Sequence, residues 1–369
     1  MSNDIFVTKP YLPPLDEFLP YLQGIWDSGV LSNCGPFHAQ LEQKLSEYLD
    51  VPHVSLFCNG TIALVTALQA LSVTGEVITT PYSFVATSHA LLWNGLTPVF
   101  VDVEADSLNL DPAKVEAAIT PKTTAIMPVH CYGIPAQLEA FEDIAKRHNL
   151  KLIYDAAHAF GVQNRNGSIM KYGDLSTLSF HATKVFNTFE GGAIISHTLE
   201  MKNRIDKLKN FGHDGETSVV DTGINGKMSE VNSAFGLLQL KYVDAAIRRR
   251  GEISKAYRTA IDQIEGLDNL TPRQEVTKNN YSYFPVMVKP NYGISRDDLY
   301  NKMKDNGVHP RRYFYPLITD FDMYKSLPSA DSKLLPVARQ GADQVLCLPI
   351  YPDLDNLAVE RVISLMRTG

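Results

Sequence analysis

The stretch Asp174-Leu-Ser-Thr-Leu-Ser-Phe-His-Ala-Thr-Lys184-Val-Phe-Asn-Thr-Phe-Glu190-Gly-Gly-Ala-Ile-Ile-Ser196 holds two short β-prone runs, Ser176 to Phe180 and Ala193 to Ser196. Between them lies a polar connection with one lysine at its centre and a Glu-Gly-Gly turn at its end. A lysine held in such a loop is a candidate amine nucleophile, because a partly deprotonated amine forms Schiff bases with carbonyl compounds. The plain alternative is a solvated loop lysine, and the surrounding chain has to separate the two.

Upstream of this stretch, β-type and helical patterns alternate. Lys151 to Asp155 reads as a strand, preceded by a helix face of Leu138, Phe141, Ile144 and Ala145 and by a strand from Thr124 to His130. Further back come a helix (Pro112 to Ile119), a strand (Pro98 to Val103), a helix (Phe84 to Trp93) and a strand (Glu76 to Thr80). The alternation begins with the strand His53 to Cys58 and the apolar helix Ile62 to Leu71. Strands of this kind, several nearly all apolar, predict an α/β fold with a mainly parallel sheet covered on both faces. Ligands of such sheets sit beyond the carboxyl ends of the strands, where the Asn59 turn, Asp155 and the Lys184 loop all fall.

The flanks are different. Residues 1 to 35 form a proline-rich arm with a helix near Leu15 to Ser28, followed by a second helix from Phe37 to Leu49. Beyond Ser196 the pattern is helical from Met201 to Asn210, then Gly-rich around Phe211 to Gly215. Val231, Ala234, Phe235, Leu238 and Tyr242 mark an amphipathic helix. The charged segment Asp244 to Glu252 reads as the start of a connection to a smaller C-terminal α/β unit with strands at Tyr283 to Val288 and Gln344 to Pro349. The expected division is a large domain, 1–250, and a small one, 251–369.

Composition excludes several classes. Lysine plus arginine total 34 against 41 acidic residues, a net charge of −7, which gives no reason to expect nucleic-acid or anionic-membrane binding. Arg248-Arg249-Arg250 is the only compact basic run and reads as a solvated helix end. Cys34, Cys58, Cys131 and Cys347 stand far apart with no metal-ligand spacing, so neither a disulfide framework nor a metal site is expected, and a reducing cytoplasm suits them. No leader pattern is seen at Met1 to Pro10, and no run is long and apolar enough for a membrane span.

Two further motifs bear on chemistry. Strand, Asn59-Gly60-Thr61 and then a helix is a geometry that grips an anion on free N–H groups, or else a simple connection. Asp155, at the end of an apolar strand, needs a cationic or hydrogen-bonding partner; a protonated pyridine nitrogen is one, and a helix start it caps is another.

Taken together, these motifs give the chain a resemblance to the fold-type I aminotransferases, specifically the sugar aminotransferases of the DegT/DnrJ/EryC1/StrS family. The resemblance runs from the arm through Asn59-Gly-Thr61, Pro81-Tyr-Ser-Phe84, Pro128-Val-His-Cys-Tyr-Gly133, Asp155-Ala-Ala-His158 and Ser179-Phe-His-Ala-Thr-Lys184 to Glu190-Gly-Gly192. It implies a mixed, mainly parallel seven-stranded sheet and pyridoxal 5′-phosphate as cofactor, with pyridoxamine 5′-phosphate as the alternate form. Lys184 would hold the cofactor as a Schiff base and then move a proton, and Asp155 would pair with the pyridine nitrogen. Phe84 would stack on the ring. Thr61, the Ile62 backbone and Ser179 would bind the phosphate, with Asn225 reaching the phosphate of a neighbouring subunit in a homodimer whose sites are shared. His158 stands where many relatives have glutamine, so it either contacts the ring or is simply hydrogen-bonded within the fold.

The resemblance further implies transfer of an amine from L-glutamate to a nucleotide-linked keto-sugar in a ping-pong reaction. Relatives with histidine at the lysine position dehydrate sugars instead; here the residue is Lys184. The flanks Val7 to Pro14, Leu31 to Phe37 and Gly226 to Asn232 resemble the branch acting on dTDP-4-dehydro-6-deoxy-D-glucose at C4, in the supply of deoxyamino sugars for O-antigen lipopolysaccharide. C3 amination of a 3-keto-6-deoxyhexose is the alternative, as is a sugar-nucleotide-sensing regulator of the same fold. For the sugar, His181 either lines the pocket or orients Lys184, with Glu190 nearby. Arg311 and Arg312 form either a diphosphate fork or surface charges, beside Tyr315.

Overall fold

A computed structural model describes residues 4–270 and 276–367. Its centre is a sheet of seven strands. In chain order these are β1 (His53–Phe57), β2 (Glu76–Thr79), β3 (Thr97–Phe100), β4 (Thr123–Met127), β5 (Lys151–Asp155), β6 (Leu175–Ser179) and β7 (Gly192–Ser196). Across the sheet the order is β1-β7-β6-β5-β4-β2-β3. All pairings are parallel except those of β7, which runs antiparallel to both β1 and β6. The expected mainly parallel sheet is therefore present, and the motif that opened the sequence reading is its one antiparallel turn, β6–loop–β7.

Alternation along the strands explains the layering. On β5, Leu152 and Tyr154 enter the core on one face while Ile153 enters the core on the other. On β7, Ala193 and Ile195 take the first face and Ile194 the second. Both faces are apolar because both are covered. The helices Pro36–Leu49 and Leu138–His148 supply Leu41, Leu45, Phe141 and Ile144 to the first. Gly60–Ala70, Ala86–Trp93 and Leu199–Leu208 supply Ala63, Leu64, Ala90, Leu91 and Ile205 to the second.

The C-terminal part has its own core around a three-stranded antiparallel sheet of β8 (Leu267–Asn269), β9 (Phe284–Val288) and β10 (Val345–Leu348). Helices Arg296–Asp305 and Asn356–Arg367 pack on it, and Ile5 of the arm joins that core by pairing with Val308. The segment Asp244 to Glu252 is not an irregular connection. It lies within a helix, Val243–Ile261, that puts Val243 and Ile247 in the large core and Ile253, Tyr257 and Ile261 in the small one.

Nor is Arg250 a solvated helix end. It is buried, and its Nη1 donates to the carbonyl of Ile350 at 2.9 Å and, at 3.4 Å, to those of Tyr281 and Ser282. Burial pulls its pKa down to about 10, which leaves it charged at neutral pH. A guanidinium that donates to carbonyls from two other segments is a tertiary feature that three consecutive arginines in a helix do not reveal.

Candidate active site

Five strands of the sheet, β1, β2, β4, β5 and β6, deliver residues to one cleft at their carboxyl edge. β1 ends at Phe57 and the chain turns through Asn59 into the helix Gly60–Ala70. Asn59 caps that helix, its Oδ1 accepting the N–H of Ile62 at 2.8 Å. The Ile62 backbone is thus already engaged, and Thr61, exposed at the helix start, is the better placed of the two for an anion. The turn is tightly backed. A Cβ on Gly192, the first residue of β7, would lie 2.7 Å from the Asn59 carbonyl carbon, and one on Gly60 would lie 3.0 Å from Ser179 Cβ. Glycine at both positions lets Asn59–Thr61 and Ser179 converge.

β5 ends at Asp155, which is 4% exposed. Its Oδ2 accepts from Thr87 Oγ1 at 2.7 Å and its Oδ1 from the Ala157 N–H at 3.1 Å. Burial raises its pKa, while these two hydrogen bonds and the Lys184 charge pull the other way. His158, three residues on, is buried and accepts the Tyr132 N–H on Nδ1 at 3.2 Å. Burial first, and the Lys184 charge second, hold its imidazole neutral, well below its usual range.

Lys184 borders the cleft and is half-buried. Its Nζ stands 3.5 Å from the Tyr283 hydroxyl and 5.8 Å from the centre of that ring. Desolvation lowers its pKa to about 8, with Asp155 acting in the opposite direction. A substantial fraction of the amine is therefore neutral, hence nucleophilic, near neutral pH.

Around these groups the cleft encloses about 300 Å³, a size that suits a small cofactor or part of a larger ligand. Its walls include Thr61, Phe84, Asp155, His158, Ser179, His181, Lys184 and Glu190, all expected from sequence. Phe84 remains 60% exposed, its ring presented to the opening. At the mouth, His181 Nδ1 meets Thr183 Oγ1 at 2.8 Å and its Nε2 faces Glu190 at 3.6 Å.

Other expected residues lie elsewhere. Asn225 is exposed, and its Oδ1 accepts from Lys227 Nζ at 2.8 Å; it is not part of this chain's cleft. Arg311, Arg312 and Tyr315 are also absent from the cleft walls. Arg312 pairs with Asp297 at 2.9 Å and stacks on the rings of Tyr300 and Tyr315, so its charge is committed to bracing the segment rather than reaching inward. That same segment contributes Tyr313 and Phe314 instead.

Sequence reasoning missed Thr87, Tyr283, Tyr313 and Phe314. Thr87 sits in the first turn of the helix Ala86–Trp93, and Tyr283 directly precedes β9 of the C-terminal sheet. No local pattern marks either, since their partners are far away in sequence.

The model of the DegT/DnrJ/EryC1/StrS aminotransferase family matches residues 15–367. The chain is 53% identical to the dTDP-4-amino-4,6-dideoxy-D-glucose transaminase of Shigella dysenteriae, over 100% of this chain and 99% of that protein. It is also 53% identical to the transaminase of the same name from Escherichia coli, over 99% and 98% of the two chains. Among solved structures, DesI crystallised in the presence of its TDP-sugar product superposes with a TM-score of 0.94 at 35% identity, covering 100% of this chain and 93% of that one. With a cleft of this chemistry, a family match along nearly its whole length and relatives more than half identical, this chain belongs to the DegT/DnrJ/EryC1/StrS aminotransferase family.

Proposed function

We propose that this protein is a pyridoxal phosphate-dependent transaminase that moves the amino group of L-glutamate onto C4 of dTDP-4-dehydro-6-deoxy-D-glucose, giving dTDP-4-amino-4,6-dideoxy-D-glucose. The observation that carries the mechanism is the convergence in one cleft of a lysine with a lowered pKa, a buried aspartate and a tightly backed helix N-terminus. The donor set fits the cofactor. A phosphate finds N–H and hydroxyl donors at Thr61 and Ser179, and a ring nitrogen that carries a proton finds a carboxylate in Asp155.

The chemistry supplied by bound pyridoxal phosphate is that of an electron sink for the bonds at the amine-bearing carbon. Lys184 would hold it through Nζ, and its amine, with a pKa near 8, can take up a proton and give it back. Asp155 keeps the ring nitrogen protonated by remaining ionised. Phe84, at the cleft opening, would cover one face of the ring, and neutral His158 would border it. His181 and Glu190 stand at the mouth, where the sugar enters.

We further infer a homodimer with shared sites, with the exposed Asn225 of one copy reaching the phosphate at the other. The cytoplasm is the setting we favour for a chain with four free cysteines, and supply of O-antigen sugars the role. We also propose the division into a large domain, 1–250, and a small one, 251–369, which the change of core along the helix Val243–Ile261 supports. No helix among the described residues is long and apolar enough to cross a membrane. The deciding experiment incubates the purified protein with glutamate and a panel of dTDP- and UDP-linked keto-sugars and locates the new amine by NMR. An amine at C4 of the dTDP sugar is expected. An amine at C3, a preference for another nucleotide, or binding without turnover overturns the assignment.

A further inference from the structure

Beside Asp155, in the wall of the cleft, runs a short chain of hydroxyl groups. Ser83 Oγ lies 2.9 Å from Thr87 Oγ1, which lies 2.7 Å from Asp155 Oδ2. All three residues are buried: Ser83 is 5% exposed, Thr87 1% and Asp155 4%. An ionised carboxylate only accepts hydrogen bonds, so the Thr87 proton points to Asp155 and the Ser83 proton to Thr87. The direction of the whole chain is thus set by the charge at its end. Such hydrogen bonds, to a charged acceptor out of water, are among the stronger ones proteins make.

We propose that Thr87, oriented by Ser83, is a positioning residue that keeps Asp155 ionised and fixes the plane of its carboxylate, so that Asp155 is ready to meet a protonated ring nitrogen. The inference rests on the proposed role of Asp155 but concerns the chain's own residues. The charged and titratable groups facing Asp155 are few. Among the described residues Lys184 is the one cation acting on it, and the Cys131 thiol is close enough for the two to influence each other. His158 borders the same cleft and is neutral, and His130, whose N–H donates to the Asp155 carbonyl, is held neutral by burial. Desolvation works against the carboxylate, and the side-chain hydrogen bond from Thr87 is the first counterweight to it, ahead of the Ala157 N–H and the Lys184 charge. The segment Ser83 to Thr87 therefore supplies two things to one cleft wall: the Phe84 ring, and the two hydroxyls that brace Asp155.

The test uses the full chain. Asp155 is followed by carboxyl-carbon NMR in the cofactor-free protein labelled at aspartate Cγ, its resonance assigned by its loss in Asp155→Asn. Thr87→Val, nearly isosteric, is expected to move the Asp155 titration to higher pH and weaken pyridoxal phosphate affinity about tenfold, the scale of one hydrogen bond to a charged group. Thr87→Ser restores both, and Ser83→Ala shifts the titration in the same direction by less. An unchanged Asp155 titration in a folded Thr87→Val protein overturns the proposal, as does a failure of Thr87→Ser to restore it. Because the titration needs no cofactor, it stands apart from the functional assignment: a shifted Asp155 in a protein that never takes up pyridoxal phosphate sinks that assignment and leaves this inference intact.

Discussion

Two lysines of this protein are withdrawn from bulk water, and their environments push them in opposite directions. Lys209 is 1% exposed, with Nζ 2.7 Å from Asp206 and 3.1 Å from Glu42. Lys202 completes the cluster, 2.7 Å from each of the same two carboxylates. Burial alone lowers the Lys209 pKa, yet Glu42 and Asp206 more than offset it and leave the pKa above its ordinary value. Among the described residues, Lys184 has no carboxylate in ion-pair contact. Its nearest polar neighbour is a tyrosine hydroxyl, and desolvation prevails. Burial by itself does not make a lysine reactive; burial without a contacting anion does.

The largest expected contrast is functional. Lys184→Ala is expected to lower turnover at least about a thousandfold, within the range that general acid–base and covalent roles command, while the protein stays folded. The same change should abolish borohydride fixation of cofactor to the peptide containing this residue, read by mass spectrometry. Lys209→Ala should do the reverse. Removing one partner of a buried ion cluster costs about 3–5 kcal/mol, visible in the denaturant midpoint, with turnover per folded molecule little changed. A catalytic collapse in the Lys209 variant, or none in the Lys184 variant, would erase the distinction.

Reactivity offers a finer measure. At pH 8 the Lys184 amine is about half neutral, against well under 1% for an ordinary lysine, so labelling of the cofactor-free protein with an amine-specific acylating reagent should favour Lys184 about a hundredfold. Lys209 should remain unlabelled until the protein unfolds. Equal labelling of the two would break the comparison.

The smallest effect is on alkaline stability. Lys184 has a folded pKa of about 8 below an unfolded value of 10.5, so between those values the unfolded chain binds more protons and this group makes stability rise with pH. Lys209, with its folded pKa raised, contributes stability that is present below 10.5 and is lost as pH climbs through the folded value. Urea midpoints between pH 8 and 11 should thus show Lys184→Met removing a rise and Lys209→Met removing a fall. Slopes that change with the same sign would contradict the assigned environments.

The sequence marked Lys184 and Asp155 by position, each in a loop or strand end between apolar runs, and it marked Asn59-Gly-Thr61 by composition. The residues it left unmarked are those whose meaning is a partner. Tyr283 lies 99 positions from the lysine it touches, and Thr87 lies 68 from the aspartate it holds. Arg312 was readable as a phosphate ligand until Asp297 and two tyrosine rings claimed it. Beside it, Tyr313 and Phe314 rather than Arg311 and Arg312 line the cleft.

Strand and helix periodicity, a run of apolar strands and a few glycine-backed turns are local properties, so the sequence by itself determined the α/β sheet, the edge on which a ligand sits and the lysine that faces it. Protonation states and side-chain commitments depend on which distant groups come within a few ångströms after folding. Only the tertiary structure decided that Lys184 is left without a contacting anion among the described residues, that Lys209 is not, and that a threonine hydroxyl donates to Asp155.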